Sequence, residues 1–273
     1  MMLCIHQTTS LAAGYRKSLE GWAKAGIQYV ELSAVMLDGF LKTDTLAAAK
    51  AVLDDLGLTA VSSGVTLPDL WIPGPERVAS LETWKRRCEQ FCAIGSQMIY
   101  CPSVTNRKVT AEDFKATPGC IHEAGDIAQH YNLTAMIEFV RTSTHLATLG
   151  TSLKMIREAA HPFVRPMLDF YHFWSGMSKS EELEMIRPGE IAHVHFQDIL
   201  DIPRELIDNS GRVIPGDGSA PIVSILKKLV EKQYSGTLSV ELFLTDLQQG
   251  DPFDVASRIK KKSETVMRQA TPL

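Results

Sequence analysis

The chain has 273 residues, is 45% hydrophobic and carries a formal net charge of −4. It lacks the basic excess of a nucleic-acid-binding surface, and no stretch approaches the ~20 apolar residues that span a bilayer. The five cysteines, Cys4, Cys88, Cys92, Cys101 and Cys120, are odd in number and show no CxxC spacing, which argues against a disulfide framework or structural zinc and suits a reducing compartment.

No basic segment followed by a long apolar run opens the chain, so no signal peptide is expected and the cytoplasm is the expected location. Short apolar runs then alternate with longer amphipathic ones. A strand is predicted over 3–7 and a helix over 15–25, closed by Gly26. Strand 27–33 is followed by helix 42–56, closed by Gly57, and then by strand 58–65. The pattern continues through helix 77–94, strand 97–102, helix 111–130, strand 133–139, helix 147–160 and strand 164–170. It ends with helix 181–187, strand 191–197, helix 221–232, strand 237–243 and helix 251–268. Strands alternating with helices imply βαβ crossovers and parallel pairing. Eight such units fit a closed (β/α)8 TIM barrel, expected as one domain over residues 1–273. An open dinucleotide-binding sheet would carry a glycine-rich turn after its first strand, and here that turn reads Gln7-Thr8-Thr9-Ser10. The long segments 66–76 and 198–220 follow strands, on the face where barrels place active sites, and are expected to cover a substrate.

Four charged or imidazole side chains sit at the C-terminal ends of four consecutive strand predictions: Glu138, Asp169, His195 and Glu241, at intervals of 31, 26 and 46 residues. An unpaired carboxylate at a buried strand end is costly, and in a barrel these ends converge on one mouth. Three carboxylates and an imidazole suit one divalent ion, Mn²⁺ or Mg²⁺ first, with Co²⁺ or Zn²⁺ as alternatives. His193 faces the same side as His195, because strand side chains alternate with period two. It is read as a group supporting the site or a substrate contact. His6 ends the first strand at the same mouth, as a core histidine or a substrate contact. Trp71 and Trp174 lie on the loops, either as packing anchors or as an apolar wall for a sugar ring. Glu31 ends the second strand, to bind substrate or to pair with a basic neighbour.

These residues carry a family resemblance. Asp169-Phe170-Tyr171-His172 resembles the D-x-x-H segment of the sugar phosphate isomerase/epimerase group, the xylose-isomerase-like barrels. His193-Val194-His195-Phe196-Gln197-Asp198 resembles its HxHxxD segment, and Arg212-Val213-Ile214-Pro215-Gly216-Asp217-Gly218 its R-x-x-P-G-x-G loop. The segment from Tyr234 to Leu242 resembles the one that ends in the group's last metal ligand. The match is dense from Glu138 to Glu241, whereas the first half matches mainly in its βα rhythm.

The resemblance implies that Glu138 and Glu241 both bind metal and exchange protons with a substrate carbon through a metal-stabilised enediolate. It further implies that His172 and Arg212 contact substrate oxygens. The 16 residues between His195 and Arg212 are more than the resemblance leads one to expect, which leaves Arg204 and Arg141 as competitors for that arginine's place. The implied function is a metal-dependent isomerase or epimerase acting on a keto sugar, cyclitol or close derivative, as a homodimer or homotetramer. A lyase of the inosose or dehydroshikimate dehydratase type is the alternative. Endonuclease IV shares the barrel but needs a multi-metal centre with many more histidines.

Overall fold

The computed structural model describes residues 1–270. Eight parallel strands close a barrel in the order β1 (Met2–His6), β10 (Thr237–Val240), β7 (His193–His195), β6 (Val164–Asp169), β5 (Thr134–Glu138), β4 (Met98–Pro102), β3 (Thr59–Gly64) and β2 (Tyr29–Ser33). The ring shuts where β1 pairs with β10, from Met2 opposite Thr237 to Ile5 opposite Val240. The outer layer holds α1 (Gly14–Lys24), α2 (Ala34–Phe40), α3 (Leu46–Asp55), α4 (Pro75–Ala93) and α5 (Ala111–His130). It continues with α6 (Leu149–Ala159), α7 (Phe170–Ser175), α8 (Ile222–Glu231), α9 (Thr245–Gln249) and α10 (Pro252–Ala270).

The helix starts follow from capping. Thr45, Thr110 and Thr148 each accept a hydrogen bond from a first-turn N–H, and Thr110 with Asp113 completes a reciprocal box. Gly26 and Gly57 take positive φ of 76° and 64° just past their helices, where a side chain would be strained.

Several predicted elements differ from those observed. The helix expected over 42–56 starts at Leu46, because the Thr45 cap sets its first turn, and α2 precedes it as a separate helix. The helix expected over 181–187 is a 3₁₀ segment, Ser180–Met185. Strand 237–243 ends at Val240, so Glu241 lies one residue past it. The long 198–220 connection folds a small antiparallel hairpin from β8 (Asp198–Ile199) and β9 (Arg212–Val213). No helix among the described residues is long and apolar enough to cross a membrane.

Inside the barrel the period-two alternation stacks side chains in layers. Met136 and Met167 lie two residues before Glu138 and Asp169 and pack with Tyr100 and Ala192. The main core lies between barrel and helices, with Trp22, Trp84 and Phe91 fully buried. Trp71 belongs to it: it is 1% exposed, stands edge-on to Trp84 and donates its indole N–H to Cys101 O at 3.1 Å. It anchors its loop and forms no wall for a sugar ring.

Candidate active site and metal centre

Each residue of the cluster is placed by its own strand end. β5 ends on Glu138, whose carbonyl accepts Ser103 N–H at 2.8 Å. β6 ends on Asp169, whose Oδ1 caps α7 through His172 N–H at 2.8 Å and accepts Gln197 Nε2 at 2.7 Å. That leaves Oδ2 to face the mouth. Glu241 is fixed by Thr9, whose hydroxyl donates to Val240 O and accepts Leu242 N–H, one bond on either side of it. His195 ends β7, and its Nδ1 lies 3.1 Å from Glu138 Oε1, 3.3 Å from Asp169 Oδ2 and 3.5 Å from Glu241 Oε2. The four side chains are buried, and each offers a ligand atom within 4.8 Å of the others.

The donor set fits a divalent cation on its own chemistry. Three carboxylates converge with one guanidinium, Arg212, whose Nη1 donates to Asp169 at 2.7 Å and to Glu241 at 3.0 Å. With all three carboxyls ionised and His195 neutral, as ligation requires, that leaves an excess of two negative charges, which a divalent ion would cancel. Glu138 shows the cost of this burial. Burial pushes its carboxyl up to about 8, with Asp169 and Glu241 adding to the rise and His195 opposing it.

Beneath the mouth lies Glu31, fully buried. It joins Nε2 of His195 at 3.1 Å through one oxygen and Nε2 of His193 at 2.9 Å through the other, while His193 Nδ1 meets Thr237 Oγ1 at 3.0 Å. A carboxylate accepts only, so both Nε2 atoms carry hydrogen. This is the carboxylate–histidine support common behind metal ligands. Nδ1 of His195 faces three more carboxylates. Against the opposing effect of burial, Glu31, Glu241 and Glu138 hold the ring well above the usual histidine range. Nδ1 therefore bears a hydrogen too, which a bound cation would displace to reach the lone pair.

Two adjoining lobes of about 390 and 290 Å³ form the cavity, and both are bordered by Thr66, Tyr100, Glu241 and Phe243. Glu138, Arg141, His172 and Arg212 line the smaller, and His6 and Arg87 the larger. Arg212 is held between the rings of Tyr171 and Phe243, with its carbon 4.3 and 5.3 Å from their centroids. Its Nη2 lies 3.1 Å from His172 Nε2. Burial pulls His172 down to about 3, so its ring is neutral and accepts there.

The structure moves two predicted substrate contacts away from the cavity. His193 is fully buried in the layer below, with both ring nitrogens engaged by Glu31 and Thr237. Trp174 is half-buried outside the lining, covered by the guanidinium of Arg204 at 4.6 Å. The same stacking takes Arg204 away from the mouth, whereas Arg141 lines the cavity and donates to Ile207 O at 2.9 Å. Tyr100 and Arg87 were not singled out from sequence, since neither sits in a motif. A larger surface groove of about 750 Å³, bordered by Tyr15, Phe40 and Pro252, contains none of the cluster residues.

Asp198 is the clasp of the long connection. Its Oδ1 accepts Ile199 N–H at 2.9 Å and Ala220 N–H at 3.1 Å, and its Oδ2 accepts Gly216 N–H at 3.1 Å. Asp198→Ala is expected to cost on the order of 3 kcal/mol and to raise KM by loosening the hairpin that carries Arg212. Urea unfolding and steady-state kinetics check this. Unchanged stability would show that the hairpin holds without the carboxylate.

A curated relative from Halalkalibacterium halodurans, an inosose isomerase, is 27% identical over 258 residues, which cover 91% of this chain and 90% of the relative. The inosose isomerase of Bacillus subtilis is 26% identical over 250 residues, covering 89% of each chain. Among solved structures, the IolI protein with a bound zinc atom matches at a TM-score of 0.92 and 23% identity, covering 100% of both chains. An L-ribulose 3-epimerase matches at 0.77 and 17% identity, covering 99% of this chain and 96% of its own. At these identities the two structures show a shared fold. The xylose isomerase-like TIM barrel family matches residues 19–264, nearly the whole closed ring, and the chain belongs to that family.

Proposed function

We propose that the protein is a divalent-metal-dependent isomerase or epimerase of a keto polyol, with a keto cyclitol such as an inosose as the first substrate to test. The observation that carries this reading is the buried convergence of Glu138, Asp169, Glu241 and His195 Nδ1 at the floor of a cavity that Glu138 and Glu241 both line. The inosose isomerase relatives, alike over about nine-tenths of both chains, point to the same substrate class.

These four residues would hold the ion, which would polarise a substrate carbonyl and its neighbouring hydroxyl. The chain's own groups account for the rest. Glu138 and Glu241 stand at the two ends of the arc β5–β6–β7–β10, where one takes the proton from the carbon beside the carbonyl and the other returns one. Arg212, held at Nη2 by His172, supplies hydrogen-bonding groups to substrate oxygens, with His172 lining the cavity beside it. Asp169 is tied through both oxygens and moves no proton.

The test is turnover of the manganese-loaded protein in D₂O with a panel of inososes and ketoses, followed by NMR. Deuterium at the carbon next to the carbonyl, with every oxygen retained, supports the proposal. Loss of water with growth of an enone absorbance makes the enzyme a lyase, and no exchange with any member rejects both.

A further inference from the structure

We infer that Tyr100 offers its hydroxyl hydrogen to a substrate oxygen in the cavity, and that His6 is the positioning residue that turns it there. Tyr100 borders both lobes, and its ring stands edge-on to His195 at a centroid distance of 5.1 Å. The chain makes room for it: a Cβ on Gly64 would lie 2.5 Å from three atoms of the Tyr100 side chain, the hydroxyl oxygen included. A tyrosine seated against the cluster by a dedicated glycine calls for a reason beyond packing.

Hydrogen-bond bookkeeping supplies it. His6 Nδ1 accepts Thr8 N–H at 3.2 Å, capping the segment after β1. A ring nitrogen that accepts carries no hydrogen, so the neutral His6 bears its hydrogen on Nε2. Nε2 lies 3.3 Å from Tyr100 Oη and is therefore the donor of that bond. Tyr100 thus accepts from His6, and its own hydrogen is left over. His6 is the hydroxyl's hydrogen-bond partner among the described residues, and no acceptor takes that hydrogen. A buried donor without an acceptor is costly, unless a ligand supplies one. Tyr100 borders the same cavity as Glu138 and Glu241, so the acceptor of its hydroxyl is an oxygen of the reacting part of the substrate. The chemistry is that of a neutral donor aimed at an oxygen that gains negative charge as the neighbouring carbon loses its proton.

This inference rests on the isomerase reading above. Its test is Tyr100→Phe, which removes one oxygen and keeps the ring, studied in the metal-loaded protein. We expect kcat to fall about 10²-fold with KM changed less than about threefold, and with metal content and Tm retained. His6→Ala should lower kcat comparably, and the double variant should be no worse than Tyr100→Phe alone, because one misdirects and the other removes the same donor. Calorimetric titration with a keto cyclitol gives a second readout, where Tyr100→Phe should bind at least about fivefold more weakly than the parent. Parental binding and turnover in Tyr100→Phe would overturn the inference and leave the proposed function standing. A parent that neither binds nor converts any keto cyclitol or ketose would overturn the proposed function and this inference together. Should Tyr100→Phe misfold, 3-fluorotyrosine placed at position 100 alters the donor without reshaping the ring. A shifted pH–kcat profile then supports the role, and an unchanged one overturns it.

Discussion

Glu138→Gln and Glu241→Gln are each expected to lower net conversion by roughly 10²–10⁴-fold, yet to fail in different ways. Gln keeps the length and one oxygen of Glu but cannot take a proton. With Glu138 replaced, the carboxylate at the other end of the arc still exchanges its own proton with solvent, so one of two epimeric substrates should go on acquiring deuterium from D₂O. With Glu241 replaced, the other epimer should do so. Both residues also belong to the proposed ligand set, so metal content must be measured in each variant and rates compared per loaded molecule. Near-parental conversion in both loaded variants would show that the two-carboxylate chemistry is wrong, and His172 would become the group to test as base.

Glu31→Gln is expected to weaken divalent-metal affinity about 10–100-fold, although Glu31 is fully buried below the mouth. Its two oxygens face hydrogens on His193 and His195. An amide offers one oxygen and one NH₂. If the oxygen faces His193, the NH₂ confronts Nε2 of His195, and the only way to avoid opposed donors is to keep the ring hydrogen on Nδ1 alone. With Nε2 bare, that hydrogen is the ring's last, and a bound ion could no longer displace it to reach the Nδ1 lone pair without leaving the ring an anion. If the amide turns the other way, His193 must give up its hydrogen and rearrange against Thr237. Either choice disturbs the support for one histidine, while the change in volume is negligible. Competition for manganese with a chelating dye measures the affinity, and circular dichroism checks the fold. A Glu31→Gln protein that is folded and binds metal as the parent does would show that the tautomer is set elsewhere.

The barrel and the convergent quartet were legible in sequence for one physical reason. A parallel barrel strand is a short apolar run buried on both sides, so a charged side chain at its end stands out against its surroundings. Repeated four times in strand order, that contrast locates a mouth. What lay outside such runs was harder to see. The structural part of Glu31 depends on histidines 162 and 164 positions away, and nothing local to the second strand signals them. Tyr100 reads as an ordinary aromatic until Gly64 and His6 are brought beside it. Trp174 lies on a loop after a strand, where a packing anchor and an apolar wall are both open readings, and the turn of α7 directs it toward Arg204. Of the two readings of His193 the supporting one holds, and the substrate contact does not, because period two gives the side of a strand but not the layer.

The pairing of β1 with β10 has a consequence for how the chain reaches this shape. Its partners lie 235 positions apart, so the ring cannot shut until almost the entire polypeptide is present. Seven strands without the eighth leave β1 and β7 as two unpaired parallel edges, open to pairing with other chains. Glu241 directly follows the closing strand, and Thr9, just after the opening one, grips the backbone on both sides of it. Glu241 therefore reaches its place only when the two ends of the ring meet. During refolding, tight uptake of the ion would mark the moment of closure, and helix content would rise before it.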